Sequence, residues 1–198
     1  MFRPIAISLF LASLGSAAAA QPVDPAIATV QSLDDGLLAI MHAGSTAGMA
    51  GRSRVIAPVI DRTFDLPLMS RLSVGPGWVK IAPRDQAALV AAFRAMTIAS
   101  YARNFDGFSG EKFTIVPPAQ VRGSDRLVRT MLKSGREDPV ALGYRLRQSG
   151  GSWKIIDVYY KDSISQLATR RSDFAATLAS GGPRALIAHL EQLAAKSR

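Results

Sequence analysis

GYRLRQSGGSWKIIDVYY, residues 143–160, has the pattern of two β-strands joined by a turn. In its first half, Tyr144 and Leu146 alternate with arginines, a pattern that predicts one buried face and one wet face. The two adjacent glycines in the middle are typical of a hairpin connection. This stretch therefore predicts an antiparallel pair of strands.

The second strand of this pair, SWKIIDVYY, differs from the first because both of its faces carry apolar residues. Trp153 and Ile155 are predicted to share one face, and Ile156 and Val158 the other. A strand that is apolar on both faces is typically covered on both sides. We therefore expect a central strand in the sheet.

Working outward, the rest of the chain divides into helices, strands and helices. Two more strand candidates, KFTIVPPAQV and RLVRTMLKS, precede the pair. Residues 24–44 and 82–105 show helical periodicity before the strands, and residues 162–193 show it after them, with a break at two glycines. Helices, then antiparallel strands, then helices predict an α+β fold.

FDLPLMSRLSVGPGW, residues 64–78, is unusually apolar for a short segment. Asp65 is placed to cap a helical turn, and a Gly-Pro-Gly sequence ends it. The segment carries no nucleophile, metal ligand or phosphate-binding loop. Together with the apolar helix at 82–105 and the strands, it supplies more apolar surface than one packed core requires, which favours an apolar cavity.

Residues 1–20 form a predicted secretory signal peptide. Arg3 supplies the positive charge, an apolar run follows, and Ala18 and Ala20 fit the small-residue cleavage pattern. The apolar run is shorter than the roughly 20 residues that a spanning helix needs. We therefore expect an exported protein whose mature chain, residues 21–198, is one domain.

Composition excludes some classes of function. There is no cysteine, so the exported chain holds no disulfide and must be stabilised by its core. The net charge is +9, or +8 without Arg3, and favours acidic partners. The basic residues are scattered without an aromatic-interleaved stripe, which argues against nucleic-acid binding.

The sequence shows no metal or cofactor site. His42 and His189 lie far apart and lack supporting ligand spacing. There is no nucleophile elbow, phosphate-binding loop or dinucleotide fingerprint.

Asp157 is the one ionisable residue with two open interpretations. It interrupts an apolar strand, where desolvation would raise its pKa and suit it to act as the general base of an isomerase or hydratase. Alternatively, it bonds an arginine or backbone amides near the rim of the sheet.

Three stretches resemble a known family: FDLPLMSRLSVGPGW, QAALVAAFRAMTIASYARNFDGFSGEKF and GYRLRQSGGSWKIIDVYYKDSISQLATRRSDFAATLASGG. They are similar in register to the MlaC, or toluene-tolerance, family of periplasmic lipid-binding proteins over nearly the whole mature chain. The most specific parts are F-D-x-P-x-M-x-R-x-x-x-G and the W-K-x-x-D-V strand leading into the helix at Ser165–Phe174. Lys161 and Asp162 replace the family's usual Glu-Gly pair, which is closer to its hopanoid-associated branch, HpnM.

The resemblance implies a twisted antiparallel sheet of NTF2-like character, surrounded by helices that enclose an apolar pocket. It implies a periplasmic shuttle without catalysis or cofactor, carrying phospholipid or a hopanoid-like lipid between inner- and outer-membrane complexes of an ABC-type transport system. The segment at 64–78 would form one wall. The residues predicted to contact lipid are Leu66, Met69, Leu72, Phe93, Met96, Tyr101, Val128, Met131, Tyr144, Trp153, Ile155 and Val158.

The predicted docking surface for the membrane complexes consists of four arginines, Arg145, Arg147, Arg170 and Arg171, and the carrier is expected to be a monomer. Two other interpretations remain open at this point. One is an isomerase of NTF2-like fold that uses Asp157, and the other is an exported structural protein with a filled core.

Overall fold

The computed structural model describes residues 24–135 and 137–196. The predicted signal peptide, residues 1–20, and the predicted first mature residue, Gln21, lie outside them. The helices are α1 (Pro25–Ala43), α2 (Gly48–Thr63), α3 (Leu66–Val74), α4 (Pro83–Asn104) and α5 (Gln166–Ala195). The strands are β1 (Lys112–Arg122), β2 (Asp125–Lys133), β3 (Val140–Ser149), β4 (Ser152–Tyr160) and β5 (Ile164–Ser165).

The five strands form one antiparallel sheet in the order β1-β2-β3-β4-β5. This confirms the predicted α+β class and the four predicted strands. Ser149 pairs with Ser152 across Gly150 and Gly151, which have φ values of 56° and 81°. A two-residue turn with positive φ at both positions matches the twist of the flanking strands, and glycine adopts it without strain.

Strand β4 is covered on both faces, as predicted, but it lies near one end of the sheet. Within residues 24–135 and 137–196, the edge of β4 away from β3 pairs with the two residues of β5 and, through a parallel bridge from Ile155, with Phe64. The Asp65 backbone N–H donates to the Ile155 carbonyl at 2.9 Å. The segment that leads into α3 is thereby joined to the sheet.

A bulge changes the face assignment within β4. Tyr144 pairs with Val158, and Leu146 pairs with Ile155. Two residues of β4 therefore lie opposite the single residue of β3 between these pairs. An extra residue in one strand of a pair shifts every following side chain to the other face. Val158 therefore lies on the same face as Ile155, whereas simple alternation predicted opposite faces.

Three of the five helices, α1, α3 and α5, begin at a residue whose side chain caps the first turn. Asp24 accepts from the N–H of Ala26 at the start of α1, and Asp65 accepts from the N–H of Leu68 at the start of α3. Each cap satisfies a backbone donor that the first turn leaves free. The predicted Asp65 cap is confirmed.

Two helix boundaries differ from the sequence prediction. Helix α2 begins at Gly48, although the polar, glycine-rich composition of residues 44–53 predicts a loop there. Helix α5 is capped by Ser165, later than the predicted start at Asp162 or Ser163, because residues 164–165 pair with β4 first. The predicted break at the glycine pair is present, since Gly182 has a φ of 66° within α5.

The hydrophobic core fills the space between one face of the sheet and the helices. The inner face contributes Val128, Tyr144, Leu146 and Ile155, all essentially inaccessible to solvent. The opposite, outer face carries the arginines of β3, which confirms the wet face predicted for this strand. Among the described residues, no helix is long and apolar enough to cross a membrane.

Candidate functional site

A cavity of about 290 Å³ lies between the inner face of the sheet and helices α3, α4 and α5. Its volume is near the lower end of the range for ligand pockets, about 300–1,000 Å³. The lining residues are Phe64, Met69, Thr97, Ser100, Tyr101, Asn104, Phe105, Leu142, Tyr144, Val158, Tyr160, Gln166 and Arg170.

The sheet contributes one wall of this cavity. Leu142 pairs with Tyr160, and Tyr144 pairs with Val158, so four neighbouring side chains project from the same face. The bulge in β4 makes this wall possible, because without it Val158 and Tyr160 would face outward. Burial raises the pKa of Tyr144 well above its ordinary value, so this phenol stays protonated and neutral.

Helix α4 contributes the facing wall. Thr97, Ser100, Tyr101 and Asn104 recur at intervals of three and four residues, which places them on one face of the helix. The Tyr101 ring stacks on Phe105 at 5.9 Å between centroids. This wall is aromatic in part and hydroxyl- or amide-bearing in part, so the cavity can hold an amphiphile.

Arg170, in the second turn of α5, is the one ionised residue among those lining the cavity. Its guanidinium lies over the ring of Phe93, 5.0 Å from the centroid. Burial lowers the pKa of Arg170, while Tyr101 and Asp157 act in the opposite direction. A guanidinium nevertheless remains protonated in proteins, so the cavity contains a fixed positive charge.

Asp34, in α1, is a buried acid close to the cavity tyrosines. Its side chain is 1% exposed, and neither carboxyl oxygen has a hydrogen-bond partner among residues 24–135 and 137–196. Burial, with a smaller contribution from Asp35, raises the pKa of Asp34 to about 8. Its charge also contributes to raising the pKa of Tyr101 and Tyr144. At neutral pH, Asp34 is therefore mostly protonated and uncharged.

Asp157 is also buried, but it serves the start of α5. Its carboxylate accepts hydrogen bonds from the N–H of Val158 at 2.8 Å, the hydroxyl of Ser165 at 2.6 Å and the N–H of Leu167 at 3.0 Å. Asp157 pairs with Arg145, on the outer face of the sheet, and does not line the cavity. This placement matches the interpretation in which Asp157 bonds backbone amides. It does not give the geometry of a general base in the cavity.

The structure brings four of the twelve predicted lipid-contacting residues to the cavity: Met69, Tyr101, Tyr144 and Val158. Another five are packed in the adjoining core, namely Leu66, Phe93, Met96, Val128 and Ile155. Leu72 and Trp153 are half-buried outside the cavity. Met131 pairs with Ala141 and lies on the outer face, because it is three residues beyond inward-facing Val128.

The four predicted docking arginines do not form one surface. Arg145 and Arg147 both bind Asp125 on the outer face, at 2.6 Å and 2.7 Å. The hydrogen bond from Arg147, followed by that from Arg145, lowers the pKa of the Asp125 carboxyl. Arg171 is exposed and has its guanidinium near Gly75, whereas Arg170 lines the cavity.

Sequence reasoning missed the polar part of the cavity. Thr97, Ser100 and Asn104 share a helical face with Tyr101, and that spacing was visible in the sequence. Asp34 was also visible, because it lies four residues after Val30 on the inner stripe of α1. Leu142 and Tyr160 could not be identified as cavity residues from the sequence, because their positions depend on the register between β3 and β4.

A second, more open groove of about 600 Å³ lies between α1 and β1. Ile27, Ile115 and Pro117 form its apolar part, and Gln31 and Asp35 are also at its surface. It has no aromatic side chain and no positive charge. The cavity between the sheet and α4 is therefore the better candidate for a functional site.

Comparisons with known proteins agree with this fold. Residues 31–192 match the family model described as MlaC protein. No curated protein matches the chain in sequence. A solved structure described as the phospholipid-binding protein from Ralstonia solanacearum, in complex with a phospholipid, superposes with a TM-score of 0.75 at 23% identity. The match covers 87% of this chain and 98% of the Ralstonia chain.

Proposed function

The chain belongs to the MlaC family, and we propose that it is a periplasmic lipid carrier whose acyl tails occupy the cavity between α4 and β3–β4. The observation that carries the proposal is the partly enclosed, largely apolar cavity in a fold shared with a protein described as binding phospholipid. Each methylene of a tail removed from water contributes about 0.8 kcal/mol, so a carrier needs an apolar enclosure for the tails.

The size of the cavity bears on how it loads. At about 290 Å³ it has the volume of a small-ligand pocket. A lipid with two tails therefore requires the cavity to widen as it enters.

The proposed context is transport between membranes. The predicted signal peptide supports export, and a carrier in the periplasm exchanges lipid with membrane complexes of an ABC-type system. Weak, electrostatically steered contacts suit a protein that must leave each complex again. Arg145, Arg147 and Arg171, which lie outside the cavity, are the proposed docking residues.

Mass spectrometry of the purified, exported protein tests the carrier proposal. An organic extract is expected to contain lipid in stoichiometric amount, and native spectra are expected to show a lipid-bound species. An extract without lipid, together with no uptake from labelled phospholipid vesicles, would overturn the proposal.

A matched pair of variants on α4 locates the ligand. Ser100 lines the cavity, whereas Ala95 is exposed on the same helix. Ser100→Trp is expected to lower lipid occupancy severalfold, because the indole takes cavity volume that the bound lipid needs. Ala95→Trp is expected to leave occupancy unchanged. Equal occupancy in both variants would place the lipid elsewhere.

A further inference from the structure

Arg170 is a cation that the protein itself leaves without an anionic partner. The described part of the chain supplies no carboxylate within ion-pairing distance of its guanidinium. Asp157 is the carboxylate whose charge acts on it, but the oxygens of Asp157 already accept three hydrogen bonds at the start of α5. Removing a charge from water without pairing it costs free energy.

The surroundings of Arg170 fix its position without using its donors. Phe93 covers one face of the guanidinium, which holds the plane of the group. The guanidinium donates no hydrogen bond to another described residue. The five N–H donors at the edge of the plane therefore remain for a ligand, and their fork geometry matches a phosphate or carboxylate.

We propose that Arg170 determines the charge of the ligand, selecting lipids whose headgroup carries an anionic phosphate or carboxylate over neutral lipids with the same tails. The inference rests on the proposed lipid-carrier function and deepens it. The tails provide affinity along the apolar wall, and the anion meets Arg170 beside the neutral polar residues Ser100, Asn104 and Gln166. A neutral diacylglycerol or an uncharged polycyclic lipid would cover the half-buried guanidinium without supplying an anionic partner.

The test uses vesicles of phosphatidylglycerol that contain a minor amount of diacylglycerol with the same two acyl chains. The mature protein is incubated with the vesicles and re-isolated. The enrichment is the ratio of phosphatidylglycerol to diacylglycerol bound to the protein, divided by the same ratio in the vesicles. We expect the wild type to enrich phosphatidylglycerol, and Arg170→Gln to reduce the enrichment about tenfold or more, as expected for loss of a charged hydrogen bond.

Two further variants control for charge and folding. Arg170→Lys keeps the charge but loses the planar fork, so it is expected to retain part of the enrichment. Arg184→Gln removes an exposed arginine from the same helix and is expected to match the wild type. If Arg170→Gln fails to fold, Arg170→Met replaces it, because methionine fills similar space without a charge. Enrichment in that variant equal to the enrichment in the wild type would overturn the inference.

The outcomes separate this inference from the carrier proposal. Bound lipid without enrichment in the wild type, or unchanged enrichment in Arg170→Gln, overturns the role of Arg170 and leaves the carrier proposal standing. Absence of both lipids from the wild type overturns the carrier proposal itself.

Oleate in place of phosphatidylglycerol separates carboxylate from phosphate recognition. Glycerol 3-phosphate is expected not to displace bound lipid, and displacement would identify a site for free phosphate instead.

Discussion

The cavity and the packed core beside it are both bounded by helix α4, yet they differ in what their side chains do. Phe93 and Met96 face the core, where they are 1% and 6% exposed, and Phe93 packs edge-on against Phe174. Ser100 and Tyr101, about one turn later, face open volume. A stripe of apolar residues along a helix therefore predicts that this side is buried, but it does not tell whether the side meets a filled core or a cavity. Hydroxyl-bearing residues on the same side of the helix indicate the cavity.

The largest expected effect is on the free energy of unfolding, and it comes from Asp34, a carboxyl group buried in the protein interior. The pKa of its carboxyl is about 8 in the folded protein and near 3.8 when unfolded, so the folded state binds one more proton between these values. The free energy of unfolding therefore falls as pH rises from about 4 to about 8, by on the order of 4 kcal/mol at pH 7.

Asp34→Asn removes that titration and isolates its contribution. Denaturant unfolding of both proteins at pH 5 and pH 8 should show the variant gaining stability relative to the wild type at the higher pH. Asp61, Glu111 and Asp125, whose pKa values are lowered, change stability mainly below about pH 4. A difference between the proteins that does not change with pH would mean that Asp34 is ionised throughout.

Met96→Trp tests the core side directly. Sequence reasoning placed Met96 in the cavity wall, where added volume would displace lipid at little cost in stability. Since the side chain lies in the packed core, we now expect a destabilisation of about 1–3 kcal/mol and little direct effect on occupancy of the folded protein. Thermal unfolding and native mass spectra check this, and a stable variant with reduced lipid would restore Met96 to the wall.

Asp157→Asn is expected to have a smaller effect. The substitution keeps one oxygen acceptor but weakens the charged hydrogen bonds at the start of α5, so we expect a loss of about 1 kcal/mol in the free energy of unfolding. Lipid transfer should stay within a few-fold of the wild type. Loss of turnover of an enoyl or steroid-like substrate in this variant would instead support the isomerase interpretation.

Charge reversal at Arg171 should have the smallest effect on the protein itself. Arg171→Glu is expected to slow transfer between membranes that carry the partner complexes by a few-fold, without changing the bound lipid, because exposed charges act mainly on encounter. Added salt should slow the wild type in the same way. Arg184→Glu serves as the control, and equal rates for the two variants would exclude Arg171 from docking.

The sequence predicted much of the fold because its signals were local. Alternation indicated the four long strands, Asp65 marked the start of α3, and the glycine pairs marked a turn and a helix break. The bulge in β4 has no glycine and no distinctive residue, so the faces of Val158 and Tyr160 were not predictable from alternation. The start of α2 was missed because glycine-rich sequence is typical of loops.

The cavity was predicted to exist but not to lie where it does. Excess apolar surface in the sequence predicts that a cavity is present. The position of the cavity depends on where the helices do not pack directly against the sheet, which the sequence does not show. Arg170 is an example. An arginine in a charged helical segment is normally exposed to solvent, but in this structure the guanidinium packs against Phe93 and lines the cavity.

Photo-cross-linking with a phosphatidylglycerol that carries a diazirine in its acyl chain tests the central claim most directly. Fragmentation spectra of the labelled protein should place adducts on the two facing walls, at Tyr101, Leu142, Tyr144 and Val158. Adducts concentrated at Ile27 and Ile115, in the groove between α1 and β1, with those wall residues unlabelled, would contradict the account.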